Sequence, residues 1–203
     1  MLLRLHPIVA RLLLALACAL ALGACGGPYV FRGTTLDPPN PAPDFTLADQ
    51  HGQPFRLSEQ RGKIVLLYFG FTACPDLCPT TLADLAVVRR KLGADAAPVQ
   101  VALITLDPDR DTQDRMGRYV TGFDPTFIGL RGTPTELAPI MKAYGVTAIR
   151  RDLPSSALGY TIDHSSFVYV IDQSGKWRAL FNHGAAIDDM VSDLRYLVRQ
   201  GAS

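Results

Sequence analysis

The sequence is poor in the features that mark several common functions. It has no basic run and no basic patch interleaved with aromatics, and its 20 Lys+Arg against 19 Asp+Glu leave a formal net charge of +1. That balance gives no support for a nucleic-acid partner. It has no apolar run long enough to cross a bilayer as an ordinary helix: residues 12–22 are apolar over only 11 positions. It has no internal repeat and no low-complexity tract. Cysteine is scarce as well. Of the 4 cysteines, only Cys74 and Cys78 lie beyond the N-terminal segment, so no disulfide framework can hold the fold together. A bridge between positions so close in sequence closes a tiny loop and restricts the unfolded chain little. The pair therefore reads as chemistry rather than as a staple.

Acidic residues are absent from residues 1–24, which carry Arg4 and Arg11 ahead of the short apolar run. The run ends in Leu22-Gly23-Ala24-Cys25, small residues before a cysteine. This resembles the lipobox of bacterial lipoprotein signal peptides. The resemblance implies cleavage before Cys25 and a diacylglycerol on its sulfur. Residues 1–24 are then a signal peptide, residues 25–41 a lipidated Cys25 with a Pro/Gly-rich linker, and residues 42–203 the folded domain. An uncleaved anchor with an incidental Cys25 is the plainer alternative. Either way the domain is expected outside the cytoplasm and tethered to a membrane, where an unprotected dithiol tends to oxidise. Cys18 lies inside the apolar run and carries no expected chemistry.

Further along, Phe45 and Leu47, then Phe55 and Leu57, alternate with polar neighbours around a Gly52 turn and predict a hairpin. The unbroken apolar run of residues 64–69 predicts a central strand covered on both faces. Leu82, Leu85, Val88 and Leu92 predict a helix, and residues 99–106 a second buried strand. A helix capped at Asp111 or Thr112 and a short strand at residues 127–130 follow. Thr133-Pro134-Thr135-Glu136 has the composition of a capping box with proline at the first helical position. Residues 150–163 show no period and read as a loop with scope for movement. Strands at residues 166–171 and 177–181 predict a second hairpin, and an amphipathic helix ends the chain. Alternating strands and helices argue an α/β fold with a central, mostly parallel sheet flanked by helices. A dithiol that opens a helix after the first central strand resembles the thioredoxin fold, with the first hairpin as an N-terminal extension.

Cys74 and Cys78 bound one helical turn if the segment is helical. Unpaired amides at a helix start favour thiolate, which both disulfide exchange and metal binding require. Two sulfurs are soft ligands that favour Cu(I), with Zn(II) as the common competitor, and they leave a site incomplete. Among the histidines, His6 lies in the signal segment, His51 in a hairpin turn facing solvent, and His183 in a surface loop. His164 stands at a loop-to-strand boundary. Spacing alone does not bring it to the cysteines, and a lone histidine there also reads as an ordinary structural residue.

The stretch Phe69-Gly70-Phe71-Thr72-Ala73-Cys74-Pro75-Asp76-Leu77-Cys78-Pro79 resembles the dithiol signature of the Sco/SenC family of copper-delivery proteins. Thr105-Leu106-Asp107-Pro108-Asp109-Arg110-Asp111-Thr112 resembles that family's next signature loop, and Asp163-His164-Ser165 its histidine motif. In order, the match spans residues 42–197, with Ala73 as a departure in detail. The resemblance implies a thioredoxin-like fold and Cys74, Cys78 and His164 as ligands of one copper ion per chain, Cu(I) or Cu(II). It implies delivery of copper to, or reduction of thiols in, the dinuclear copper site of cytochrome c oxidase subunit II, or a similar client. The carrier is then a monomeric, periplasm-facing lipoprotein of the cell envelope. Asp163 is a candidate hydrogen-bond partner that would orient His164. Asp107, Asp109 and Asp111 are hard ligands that suit turns and caps better than copper. A thiol–disulfide oxidoreductase without obligatory copper, using the Cys74/Cys78 dithiol, is the alternative. A peroxiredoxin-type peroxidase fits the second cysteine poorly.

Overall fold

The computed structural model describes residues 29–201. The expected signal segment, Cys25 and the first residues of the expected linker lie outside the described residues. Ten strands are described: β1 (Thr34–Pro41), β2 (Thr46–Asp49), β3 (Pro54–Arg56), β4 (Ile64–Gly70), β5 (Val99–Thr105), β6 (Ile128–Arg131), β7 (Ala148–Leu153), β8 (Gly159–His164), β9 (Phe167–Ile171) and β10 (Lys176–Asn182). The helices are α1 (Leu77–Leu92), α2 (Gln113–Thr121), α3 (Pro134–Ala143) and α4 (Ile187–Gly201).

Eight strands form one sheet in the order β1-β10-β9-β4-β5-β6-β2-β3. Its centre, β4-β5-β6, is parallel, and its flanks are antiparallel. The continuous apolar run of β4 is buried at every position, as a central strand covered by helices on both faces must be. Alternation then divides the core. Ile64, Leu66 and Tyr68 pack with Leu82, Leu85 and Val88 of α1 and with Leu194 and Leu197 of α4. Val65, Leu67 and Phe69 face Leu137 and Ile140 of α3 and the hairpin residues Phe45 and Leu47. Each fully buried aliphatic or aromatic side chain contributes about 1.5–3 kcal/mol, so the sheet order is fixed by burial on both faces. The capping box at Thr133 forms as expected: its hydroxyl accepts from the Glu136 amide, and the Glu136 carboxylate accepts from the Thr133 amide.

Two segments differ from the sequence reading. Thr34–Pro41, read as linker because of its prolines, pairs irregularly with β10 at the sheet edge. The register breaks between Thr35 and Asn40, so Pro38 and Pro39 fall where no pairing with β10 is formed, as an edge strand tolerates. The buried Asp193 carboxylate of α4 anchors the entry to this strand by accepting the amides of Arg32 and Gly33 at 3.0 and 2.9 Å.

Residues 150–163, read as a loop, belong to an antiparallel ribbon of β7 and β8 that stands apart from the main sheet. Gly159 begins β8 at φ +67°, a left-handed conformation that glycine takes without strain. The central four residues of β7 are exposed, so no apolar alternation announces the ribbon. Its cohesion comes from polar and aromatic contacts with the rest of the chain.

Candidate metal centre

β4 ends at Gly70, and the chain turns through residues 71–76 before α1 begins. Cys78 lies in the first turn of α1 and is fully buried, whereas Cys74 precedes the helix and is partly exposed. The Cys74 sulfur acts as an acceptor at the helix start: the Cys78 amide donates to it at 3.4 Å. Gly70 makes room for the second sulfur. A Cβ at this position would sit 2.9 Å from the Cys78 sulfur, so any larger residue would displace it.

His164 closes β8, and its Nε2 lies 3.5 Å from the Cys78 sulfur. Its Nδ1 lies 2.9 Å from the Ser165 carbonyl oxygen. A carbonyl oxygen only accepts, so Nδ1 carries the proton and the Nε2 lone pair faces the sulfurs. Phe71 and Tyr68 meet the imidazole edge-on, with ring centroids 5.8 and 6.3 Å away. The two sulfurs and the ring nitrogen lie within 4.8 Å of one another. Trigonal ligation at about 2.0–2.3 Å per donor calls for only a small further approach. The donor set, two sulfurs and one neutral imidazole, suits Cu(I). A pocket of about 270 Å³ opens onto Cys74 and His164 between Pro75, Leu77 and Ile162. An ion there would be reachable from outside.

The two thiols are unequal. The Cys78 thiol beside Cys74 holds the Cys74 pKa down to about 4 against the opposing effect of burial, with help from His164 and the amides of Asp76 and Cys78. The Cys78 thiol is pushed far up by its anionic neighbour and by burial. One sulfur is thus a reachable thiolate and the other a buried thiol.

The aspartate-rich loop after β5 does more than turn the chain. Asp111 is fully buried. It accepts the Thr72 amide at 3.0 Å and the Thr105 hydroxyl at 2.6 Å, which fixes the turn that carries Cys74. Asp107, also buried, pairs with Arg110 and accepts the Tyr160 hydroxyl at 2.7 Å. Arg110 donates to the Leu158 and Tyr160 carbonyls at 3.0 Å each. One loop therefore holds the dithiol turn on one side and the ribbon bearing His164 on the other. Helix capping goes to Thr112 instead of Asp111, and Asp109 is exposed.

Asp163 does not orient His164. Its carboxylate pairs with Arg151 across the ribbon, because adjacent side chains on a strand point to opposite faces. The Ser165 carbonyl takes the orienting role. His51 is exposed in its turn, as expected. His183, read as a surface residue, is half-buried, with its Nδ1 3.0 Å from the Thr81 hydroxyl of α1.

The family model described as SCO1/SenC matches residues 33–199. A SCO2-like protein of Rickettsia conorii is 36% identical over 152 residues, covering 75% of this chain and 74% of its own. The solution structure of apo Sco1 from Thermus thermophilus is 36% identical with a TM-score of 0.74, covering 85% of this chain and 99% of that one. The structure of Bradyrhizobium japonicum ScoI with copper bound is 35% identical with a TM-score of 0.70, covering 77% and 98% respectively.

Proposed function

The chain belongs to the SCO1/SenC family, and from that premise we propose that it is a membrane-tethered copper chaperone of cytochrome c oxidase assembly. Copper is its cargo, held by Cys74, Cys78 and His164. The convergence of two sulfurs and one imidazole nitrogen within 4.8 Å supports this reading, as does the similar ScoI fold with copper bound. Cys74, a thiolate at neutral pH and open to the pocket, meets the incoming ion first. The Cys78 thiol gives up its proton as its sulfur joins, and His164 presents a lone pair already aimed by Ser165. The client is the dinuclear copper site of cytochrome c oxidase subunit II. A lipid on Cys25 and a periplasm-facing location place the carrier beside a membrane-bound client.

A second reading draws on the inequality of the thiols. A reachable Cys74 thiolate suits attack on a client disulfide, and buried Cys78 suits resolution of the mixed disulfide. Attack breaks the client S–S bond and joins one client sulfur to Cys74. Cys78 then displaces that sulfur, so the client leaves as a dithiol and Cys74–Cys78 becomes the disulfide, with two electrons passed to the client.

Anaerobic titration of reduced protein with Cu(I) separates the two. Carriage requires one equivalent bound, with tight binding lost in Cys74→Ser, Cys78→Ser and His164→Ala alike. A reductase keeps client reduction in His164→Ala and loses it in either cysteine variant.

A further inference from the structure

Tyr68 of β4 lies beneath the dithiol, fully buried. Its hydroxyl has no hydrogen-bond partner among the described residues. Burial of such a group without a partner is costly, and an orphaned hydroxyl in a close-packed core calls for an account. Few polar groups surround it. The Cys78 sulfur and the Tyr68 Cε1 atom share one contact point, 2.9 and 3.0 Å from where a Gly70 Cβ would sit. The Thr81 hydroxyl is the other polar neighbour, and it is already engaged with His183 Nδ1 at 3.0 Å.

The two sulfurs are also served differently. Cys74 has the Cys78 amide as a donor at 3.4 Å. Cys78 is buried away from water, with His164 Nε2 at 3.5 Å and the Phe71 amide and the Tyr68 hydroxyl also nearby. A thiol sulfur is a weak acceptor. A sulfur carrying negative charge is a strong one.

We infer that Tyr68 is a positioning residue of the metal centre, whose phenol O–H donates to the Cys78 sulfur when that sulfur ligates an ion. Because the hydroxyl meets no acceptor in hydrogen-bond geometry among the described residues, the bond requires a small approach of the sulfur and the phenol as the ion is ligated. It replaces the solvation that burial takes from this sulfur. The inference rests on the copper-carrier reading.

Tyr68→Phe tests it, because the change removes the oxygen and keeps the ring. Three quantities are measured on the full chain: Cu(I) affinity by competition with a chromophoric chelator, thermal stability of the reduced metal-free form, and the sulfur-to-copper charge-transfer band of the Cu(II) form. Loss of one hydrogen bond to a charged acceptor weakens Cu(I) binding about tenfold or more. Metal-free stability stays level or rises, and the band moves to longer wavelength because the sulfur donor orbital is no longer lowered. Equal affinity with an unmoved band overturns the inference, as does an affinity loss matched by a loss of stability. Thr81→Val keeps wild-type affinity if the sulfur is the acceptor, and a loss equal to that of Tyr68→Phe overturns that assignment. Wild-type protein that fails to bind Cu(I) sinks the carrier reading too, whereas tight binding by both proteins sinks this inference alone.

Discussion

The guanidinium of Arg110 lies 3.6 Å from the ring centroid of Tyr160, fifty positions away in the sequence. Arg150 stacks on the same ring at 3.7 Å. The Tyr160 hydroxyl reaches Asp107 at 2.7 Å. These contacts tie β8 to the loop after β5, and His164 ends that strand. The position of the imidazole over the dithiol is therefore set by a ring held between charged groups.

Replacing Tyr160 by leucine removes two cation–π contacts and leaves a buried carboxylate short of one donor. The combined loss is about 2–3 kcal/mol, which raises local opening of the ribbon roughly thirtyfold or more. Native-state hydrogen exchange reads this directly: β8 amides exchange faster while those of β4 and β5 hold. Unchanged exchange in β8 would mean that the ribbon is held by something else.

Asp111→Ala strips the Thr72 amide and the Thr105 hydroxyl of their acceptor. With about 1–3 kcal/mol for each orphaned group, the expected loss is about 2–6 kcal/mol. At roughly 2–4 °C per kcal/mol for a chain of this size, the melting temperature falls by about 4–24 °C. Asp111→Asn keeps one acceptor oxygen and recovers part of the difference. A melting temperature within about 2 °C of wild type for the alanine variant would show that the carboxylate is dispensable.

The Cys74 thiol titrates low in the folded chain, at about 4 against an ordinary value of 9.0. A depressed folded pKa contributes stability that is complete above the unfolded pKa and is lost as pH falls through the folded one. Site-resolved alkylation by iodoacetamide checks the titration. Cys74 should label at a nearly constant rate from about pH 8 to about pH 5 and slow near pH 4, while Cys78 stays unlabelled. In Cys78→Ser the midpoint should rise, because the neighbouring thiol is the main cause of the depression. A wild-type midpoint near the ordinary thiol value would contradict the asymmetry of the pair.

Much of this architecture was legible in the chain. The buried run at Ile64–Gly70, the capping box at Thr133 and the dithiol ahead of α1 carry their signals within a few residues of themselves. The ribbon was not legible. Arg150, Arg151 and Asp152 lack apolar alternation, and their order comes from Tyr160 and from a loop that precedes them by some forty positions. Asp111 looked like a cap because its partner Thr72 lies 39 positions upstream, where no local pattern points. β1 was hidden by prolines that an edge strand tolerates. His164 was marked by its motif, but only the fold brings it to Cys78 across 86 positions.

X-ray absorption at the copper edge of anaerobically loaded protein tests the central claim most directly. Two sulfurs and one imidazole nitrogen around Cu(I), with the nitrogen lost in His164→Ala, is the result this geometry predicts. A sulfur-only shell that is the same in both proteins would contradict it.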